Sequence, residues 1–188
     1  MNNKRKKMKN SIINWYQQRH PEWQLTNNND PITNETKRMI DDYKTQILIP
    51  IEQHFGLTTI TYGFTSFELY KKVQKLSPQH TAPTLDQHTS HEVNSRGNLI
   101  CKRGGLACDF IVEGFEENMG VIAKYIVQHL PFDRIYFYAN NKPLHVSIGP
   151  DNNHFIQYML PSPKTGLRYP RKRYNKDNYL TAKFKDEI

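Results

Sequence analysis

The sequence predicts a small α+β domain in which an antiparallel sheet carries helices packed on one face. Helix-like and strand-like apolar periodicities occur within the same stretch of chain, and three strand-like runs follow one another towards its end with short turns between them. The chain has 188 residues, 37% of them hydrophobic, with 11 Tyr, 9 Phe and 2 Trp, which is enough to build one packed core. We therefore expect a single globular domain.

The first long helix is predicted between Thr33 and Gly56. Apolar residues recur at helical spacing from Ile40 to Phe55, Thr33 is a candidate N-cap and Gly56 supplies a stop signal. Pro50 lies inside this pattern. Either the helix kinks at the proline or a second helix begins there.

The other predicted elements alternate along the rest of the chain. In order they are a strand over 58–62, a helix capped by Ser66 and stopped by Pro78, a strand over 106–112, a helix over 119–130, and strands over 134–138, 144–148 and 154–160. Turn-forming residues between 138 and 144 predict a hairpin. Residues 79–105 hold three histidines and have no clear period, so they are predicted to form a long loop, of the kind that usually serves a function.

The charged residues divide the chain into three parts. Lys plus Arg exceed Asp plus Glu by 26 − 18 = 8, and the basic excess collects at residues 4–9 and 168–173. We predict a basic polar N-terminal arm over 1–30, the folded domain over 31–160 and a basic tail over 161–188. Basic ends attract polyanions, so nucleic acid is a candidate partner, and a protein partner is the alternative.

The sequence also predicts the cellular compartment of the protein. No apolar run approaches the roughly 20 residues that span a membrane, and no apolar segment follows the basic N-terminus, so we expect a cytoplasmic protein without membrane contact. The two cysteines, Cys101 and Cys108, flank a Gly-Gly pair and do not form the pattern of a disulfide framework. Reduced thiols are the expectation.

Two polar residues stand inside predicted strands, where an unpaired polar group is costly. Asp109 precedes two apolar residues in one strand, and His145 stands between two apolar residues in another. A catalytic zinc takes three protein ligands from His, Asp or Glu and leaves a fourth position for water. Asp109 and His145 are therefore candidate zinc ligands, and the histidine-bearing loop is the source of the third.

The order of the motifs Ile-Thr-Tyr-Gly-Phe-Thr-Ser, Gly-Leu-Ala-Cys-Asp and Leu-His-Val-Ser resembles that of the D-Ala-D-Ala carboxypeptidase zinc metallopeptidases, whose fold hedgehog proteins share. The similarity covers roughly Met39 to Ile148. It implies a hedgehog/DD-peptidase-like fold, one bound zinc, hydrolysis of an amide bond, and Asp109 and His145 as zinc ligands.

The third ligand lies where the chain departs from that pattern. The family's first zinc histidine usually stands seven residues before the aspartate, a position that Lys102 occupies here. We predict His91 instead, because Ser90-His91 resembles the Ser and His of the family motif and residues 92–103 could loop out as an insertion. His88 is the close alternative.

Two further family positions are changed. The carboxylate that acts as general base usually lies three residues before the last histidine, where this chain has Lys142, and the family's substrate-binding arginine aligns with Thr65. We therefore expect a divergent zinc metallohydrolase. The alternatives are a repurposed fold that binds or acts on a nucleotide or nucleic acid, and a metal-stabilised interaction module. The residues that could replace the missing groups are Glu92, Glu113, Arg103 and Arg134.

Overall fold

The computed structural model describes residues 12–76 and 84–185 and has a mixed α+β architecture. Within these residues a six-stranded sheet has the order β1-β2-β4-β3-β5-β6. The strands are β1 Thr58–Tyr62, β2 Leu106–Val112, β3 Arg134–Phe137, β4 Leu144–Ile148, β5 Phe155–Pro161 and β6 Arg168–Tyr174. The predicted strands over 58–62, 106–112 and 144–148 match β1, β2 and β4 residue for residue.

One strand pair differs from the predicted antiparallel arrangement. β3 and β4 form the expected hairpin, but β5 pairs with β3 in parallel. The chain leaves β4, passes the start of β3 and enters the sheet on the far side of β3, so that β5 runs in the direction of β3. The remaining neighbours are antiparallel, and the sheet is thus mostly antiparallel.

Among the described residues, three helices come before the first strand in the chain, and two more lie between strands. Residues 12–19 form α1, followed by α2 Asn34–Tyr43, α3 Ile49–His54, α4 Phe67–Leu76 and α5 Met119–His129. α2 and α5 contact β2, and the hydroxyl of Tyr43 donates to the carbonyl of Val146 in β4 at 3.1 Å. In the described part of the chain, every helix is too short or too polar to cross a membrane.

The helix that contains Pro50 continues without a break through a π-helical turn. Thr33 caps α2, and its hydroxyl oxygen accepts a backbone N–H of the first turn at 3.1 Å. Proline has no N–H to donate, and its ring clashes with the carbonyl four residues earlier in an α-helix. Residues Lys44–Leu48 widen into a π-turn in which Ile49 N–H bonds Lys44 O, five residues back. This insertion joins α2 to α3.

The two faces of the sheet have different contents. Alternate residues of β2, β3 and β4 point into one hydrophobic core, among them Cys108, Phe110, Ile135 and Val146. The residues between them point to the opposite face, where residues 84–105 lie. The register sets Asp109 opposite His145 on that face, so the sheet itself places two predicted ligands side by side.

The two ends of the described chain pack into the domain. Ile12, Trp15 and Tyr16 are buried in the same core, and Trp15 Nε1 donates to Phe64 O at 2.8 Å. The predicted basic tail provides β6, which pairs with β5 and buries Tyr174. The predicted divisions at residues 30 and 161 stay predictions. Residues 1–11, 77–83 and 186–188, which include the basic run 4–9, lie outside the described chain.

Candidate metal centre

Three metal-ligating side chains meet on the face of the sheet opposite the core. Within the residues that the structure describes, His88, Asp109 and His145 each offer a ligand atom, and these atoms all lie within 4.8 Å of one another. β2 supplies Asp109 and β4 supplies His145 in the same register position. His88 comes from the long loop, which lies over the ends of these two strands.

The structure brings His88, and not the predicted His91, to Asp109 and His145. His91 Nε2 instead accepts the backbone N–H of Gly105 at 3.2 Å, which fastens the loop to the start of β2. The reason lies in the backbone between the two histidines. Gln87 and Ser90 have positive φ angles of 64° and 48°, so the segment is a tight turn and not a helical turn with both rings on one side.

The His88 ring has a defined orientation. Its Nδ1 lies 3.0 Å from the carbonyl oxygen of Ala107. A carbonyl only accepts hydrogen bonds, so Nδ1 carries a proton, and in the neutral ring Nε2 carries a lone pair. Nε2 lies 3.4 Å from Asp109 Oδ1. In the neutral ring the lone pair of Nε2 therefore faces a carboxylate oxygen, and in the protonated ring the Nε2–H faces it.

His145 is held from two sides. Its Nδ1 lies 2.7 Å from Asp109 Oδ1, and its ring stacks on that of Tyr136 with centroids 4.5 Å apart and an interplanar angle of 13°. Its Nε2 is buried and has no hydrogen-bond partner among the described residues. The hydroxyl of Tyr136 accepts from Arg103 Nη1 at 3.3 Å, which brings an arginine to the edge of the group.

The charges of the group stabilise one another. Burial alone would raise the pKa of Asp109, but His145 and His88 outweigh it and hold that pKa well below its usual range. Burial lowers the pKa of His88, but the contact with Asp109 and its charge, together with the charge of Asp86 and the Ala107 carbonyl, outweigh that effect and raise it. The Asp109 side chain is 20% exposed, against 5% for His88 and 2% for His145. The group is therefore open to solvent at its carboxylate.

Tyrosines surround the opening. Tyr62 pairs with Asp109 across β1 and β2, and its ring meets the His88 ring edge-on with centroids 4.4 Å apart. Burial raises the pKa of Tyr62, and Asp86 raises it further. Burial also raises the pKa of Tyr138, and Asp109 adds to this shift. Both phenols are therefore neutral hydrogen-bond donors at physiological pH.

Gln87 fixes the loop that carries His88. Its Nε2 donates to Gly104 O at 2.9 Å and to Asp133 Oδ2 at 3.1 Å, and its Oε1 accepts the hydroxyl of Ser147 at 2.8 Å. Asp133 is itself held by Asn153, whose N–H and amide donate to Oδ1 at 2.9 and 2.7 Å. No motif in the sequence marks Gln87. Its one signal was its place beside a histidine in a polar loop.

Lys142 and Thr65 occupy the two family positions that are changed in this chain, and each lies in a different environment from the one that the resemblance implies. Lys142 is exposed in the turn between β3 and β4, and no carboxylate takes its place there. Thr65 is buried, and its backbone N–H donates to His88 O at 3.0 Å, so it supports the loop. Neither residue provides the group that the resemblance implies at its position.

Of the four candidate replacements, only Arg103 lies beside the group. Glu92 is buried under the start of α2. Glu113 is exposed beyond the end of β2, and Arg134 Nε faces Asp133 Oδ2 at 3.4 Å. Asp86, which no sequence pattern marks as functional, stands two positions before His88. Asp86 Oδ1 accepts the backbone N–H of His88 at 3.4 Å, and the charge of Asp86 raises the pKa values of groups around the opening.

No protein-family model matches the chain, and comparison with curated proteins and with solved structures finds no match either. The resemblance to the carboxypeptidases gains no support from these comparisons. What the structure contributes is a group in the order His, Asp, His along the chain, in which Asp109 and His145 are the two residues that the resemblance assigns to zinc.

Proposed function

We propose that the protein is a zinc-dependent hydrolase whose metal ion is held by His88, Asp109 and His145. The observation that carries this proposal is the lone pair of His88 Nε2, which faces Asp109 Oδ1 at 3.4 Å. Two hydrogen-bond acceptors in that position repel each other unless a cation stands between them. The cation is a proton on Nε2 or a metal ion, and the nearby third ligand favours the metal.

The donor set suits zinc. Two imidazoles and one carboxylate are ligands of the kind that catalytic zinc sites use, with the fourth position open. Ligand atoms at 2.0–2.1 Å from a tetrahedral zinc are roughly 3.3 Å apart. The 3.4 Å between His88 and Asp109 fits that spacing, and the 2.7 Å contact between Asp109 and His145 is a hydrogen bond that an ion would replace.

The reaction that suits this arrangement is hydrolysis of an amide bond. A bound zinc supplies a water molecule of near-neutral pKa and polarises the substrate carbonyl. Asp86 is the second carboxylate beside the opening, and we assign to it the uptake of the proton that water loses. Arg103, held on the hydroxyl of Tyr136, would orient the substrate oxygen.

The order of the ligands, His, Asp and His, supports a relation to the D-Ala-D-Ala carboxypeptidases with a different third-ligand spacing. The changes at Lys142 and Thr65 remove the base and the arginine of that family, and Asp86 and Arg103 approach the group from the loop. We therefore propose a substrate other than the cell-wall dipeptide.

The test compares three forms of the protein on a panel of peptide and acyl-amide substrates: zinc-reconstituted, chelated, and Asp109→Asn. The proposal predicts turnover by the zinc-reconstituted protein and none by the other two forms. His91→Ala serves as a matched control that should keep both zinc binding and turnover. Equal turnover in all three forms would contradict it. Zinc binding with no turnover of any substrate would favour the metal-stabilised interaction module.

A further inference from the structure

The edge strand β6 carries a dense row of cations. Residues 162–176 contain six Lys or Arg and no Asp or Glu, and most of β6 is exposed. β6 is the last strand of the sheet, so one side of its backbone is also open. Seven residues of strand span about 24 Å, which makes an extended positive surface and not a point charge.

One residue of β6 lies in the same row of paired residues as Asp109 and His145, which with His88 form the metal group. A single row of paired residues crosses the sheet on the face opposite the core, from β1 to β6: Tyr62, Asp109, His145, Tyr136, Gln157 and Arg173. Three strand spacings separate β4 from β6, a distance of about 14 Å. Arg173 therefore lies on the face that carries the metal group.

Two of the three arginines of β6 lie over aromatic rings. The guanidinium of Arg168 lies 4.1 Å from the ring centroid of Tyr138, and that of Arg171 lies 5.3 Å from the ring centroid of Tyr169. Among the described residues, Arg168, Arg171 and Arg173 form no ion pair. Their charge is thus not neutralised by the residues that the structure describes.

We propose that β6, with Tyr138 beside it, binds single-stranded nucleic acid. Unpaired arginines track a phosphate backbone, and half-exposed tyrosines next to them provide surfaces on which bases stack. An acidic peptide would use the cations and leave the rings without a role. The inference stands apart from the proposed hydrolase activity, because no residue of β6 belongs to the metal group.

The experiment measures binding of a fluorescent 20-nucleotide oligo-dT to the full-length protein over a series of salt concentrations. The test variant is Arg168→Gln/Arg171→Gln/Arg173→Gln. The matched control is Lys37→Gln/Lys75→Gln/Lys124→Gln, which removes the same charge from exposed positions on α2, α4 and α5. Thermal melting of both variants confirms that each is folded.

We expect the loss of three phosphate contacts to lower the slope of log K against log salt by about 2 and to weaken binding about a hundredfold at 0.1 M salt. The control should bind like the wild type. Tyr169→Leu should weaken binding about fivefold or more through lost stacking. Asp109→Asn should bind like the wild type, which separates this inference from the metal proposal.

Four results would overturn the inference. The first is no salt-dependent binding by the wild type, and the second is equal weakening by the two triple variants. The third is displacement of the oligonucleotide by polyglutamate, or by phosphatidylserine vesicles, as effectively as by unlabelled oligo-dT. Aggregation of the β6 variant with unchanged affinity would show that the cations only protect the sheet edge, and would equally overturn it.

Discussion

At the residue scale, the tautomer of His88 decides how the group responds to pH. The Ala107 carbonyl fixes the proton on Nδ1, so a second proton and the proposed zinc ion would compete for Nε2. In the proposed metal site, protonation of His88 and metal binding would therefore exclude each other.

The first prediction concerns this competition. The pKa of His88 is raised in the folded protein, so its protonation stabilises the chelated protein below the unfolded value of about 6.5, and this stabilisation is lost as pH rises through the folded pKa. Zinc affinity should increase as pH rises through the folded pKa of His88, because the proton that competes with zinc is lost there. Melting curves of chelated and zinc-loaded protein between pH 5.5 and 8.5 measure both. A zinc-induced shift that shrinks as pH rises would be inconsistent with metal binding at Nε2.

A second prediction assigns the proton-accepting carboxylate. Asp86→Asn should lower kcat about 100-fold or more, because a general base contributes a rate factor of this order, and should leave zinc affinity within a few-fold of the wild type. Glu113→Asn removes an exposed carboxylate beyond β2 and is the control. A loss of zinc in step with activity would instead make Asp86 part of the metal site.

At the scale of elements, the loop that carries His88 depends on a buried carboxylate. Glu92 is fully buried, and its Oε1 accepts the N–H groups of Ile32 and Thr33 at 3.1 and 3.4 Å, at the entry to α2. Burial raises the pKa of Glu92, and these bonds only partly oppose it. The loop is thus tied to a helix N-terminus through a carboxylate whose charged form is disfavoured by burial.

The third prediction follows from the sign of that shift. A raised carboxyl pKa means that this group stabilises the fold most below its unfolded value of about 4.3 and less as pH rises through the folded value. Glu92→Gln keeps the accepting oxygen and should weaken this pH dependence, whereas Glu92→Ala should lose about 1–3 kcal/mol. Urea unfolding from pH 4 to 8 provides the measurement. Equal destabilisation by both variants would show that the charge itself holds the loop.

Sequence patterns predicted the elements better than their pairing. Glycines bound a β-branched run at β1, and alternating small and apolar residues mark β2, so both strands could be placed directly. The parallel position of β5 depends on which edge of β3 is free, and periodicity carries no such information. β6 lies in the predicted basic tail, and its charged and aromatic residues do not alternate with apolar ones as those of a half-buried strand do.

In the candidate metal centre, too, local sequence patterns predict some residues and miss those that depend on long-range contacts. Asp109 and His145 could be predicted because each is polar inside a strand, and the register then makes them neighbours. The choice of His88 over His91 depends on the left-handed backbone of Gln87 and Ser90 and on the bonds that Gln87 makes to distant strands. Those bonds join residues far apart in sequence, so no local pattern reveals them.

At the scale of the whole molecule, one face of the sheet builds the core and the other carries the proposed chemistry. The metal group opens to solvent at Asp109, tyrosines rim it, and β6 extends the same face towards a positive edge. The proposed relation to the carboxypeptidases rests on Asp109 and His145, and it assigns no role to the residues around the opening.

The fourth prediction addresses the substrate at this scale. Hydrolysis of D-Ala-D-Ala should be weak or absent, because Lys142 is exposed in a turn and Thr65 supports the loop through its backbone. The assay uses zinc-loaded protein and follows release of free D-alanine. Turnover at the rate of an ordinary dipeptidase would show that the family's chemistry survives the loss of both groups.

Zinc titration of single-histidine variants tests the central claim most directly. His88→Ala should lower zinc affinity by about 100-fold or more, because it removes a direct ligand, while His91→Ala should change it only a few-fold, since His91 contacts the Gly105 N–H. Circular dichroism shows that both variants are folded before titration. Equal losses in the two variants, a larger loss in His91→Ala, or no zinc binding by the wild-type protein would contradict the account.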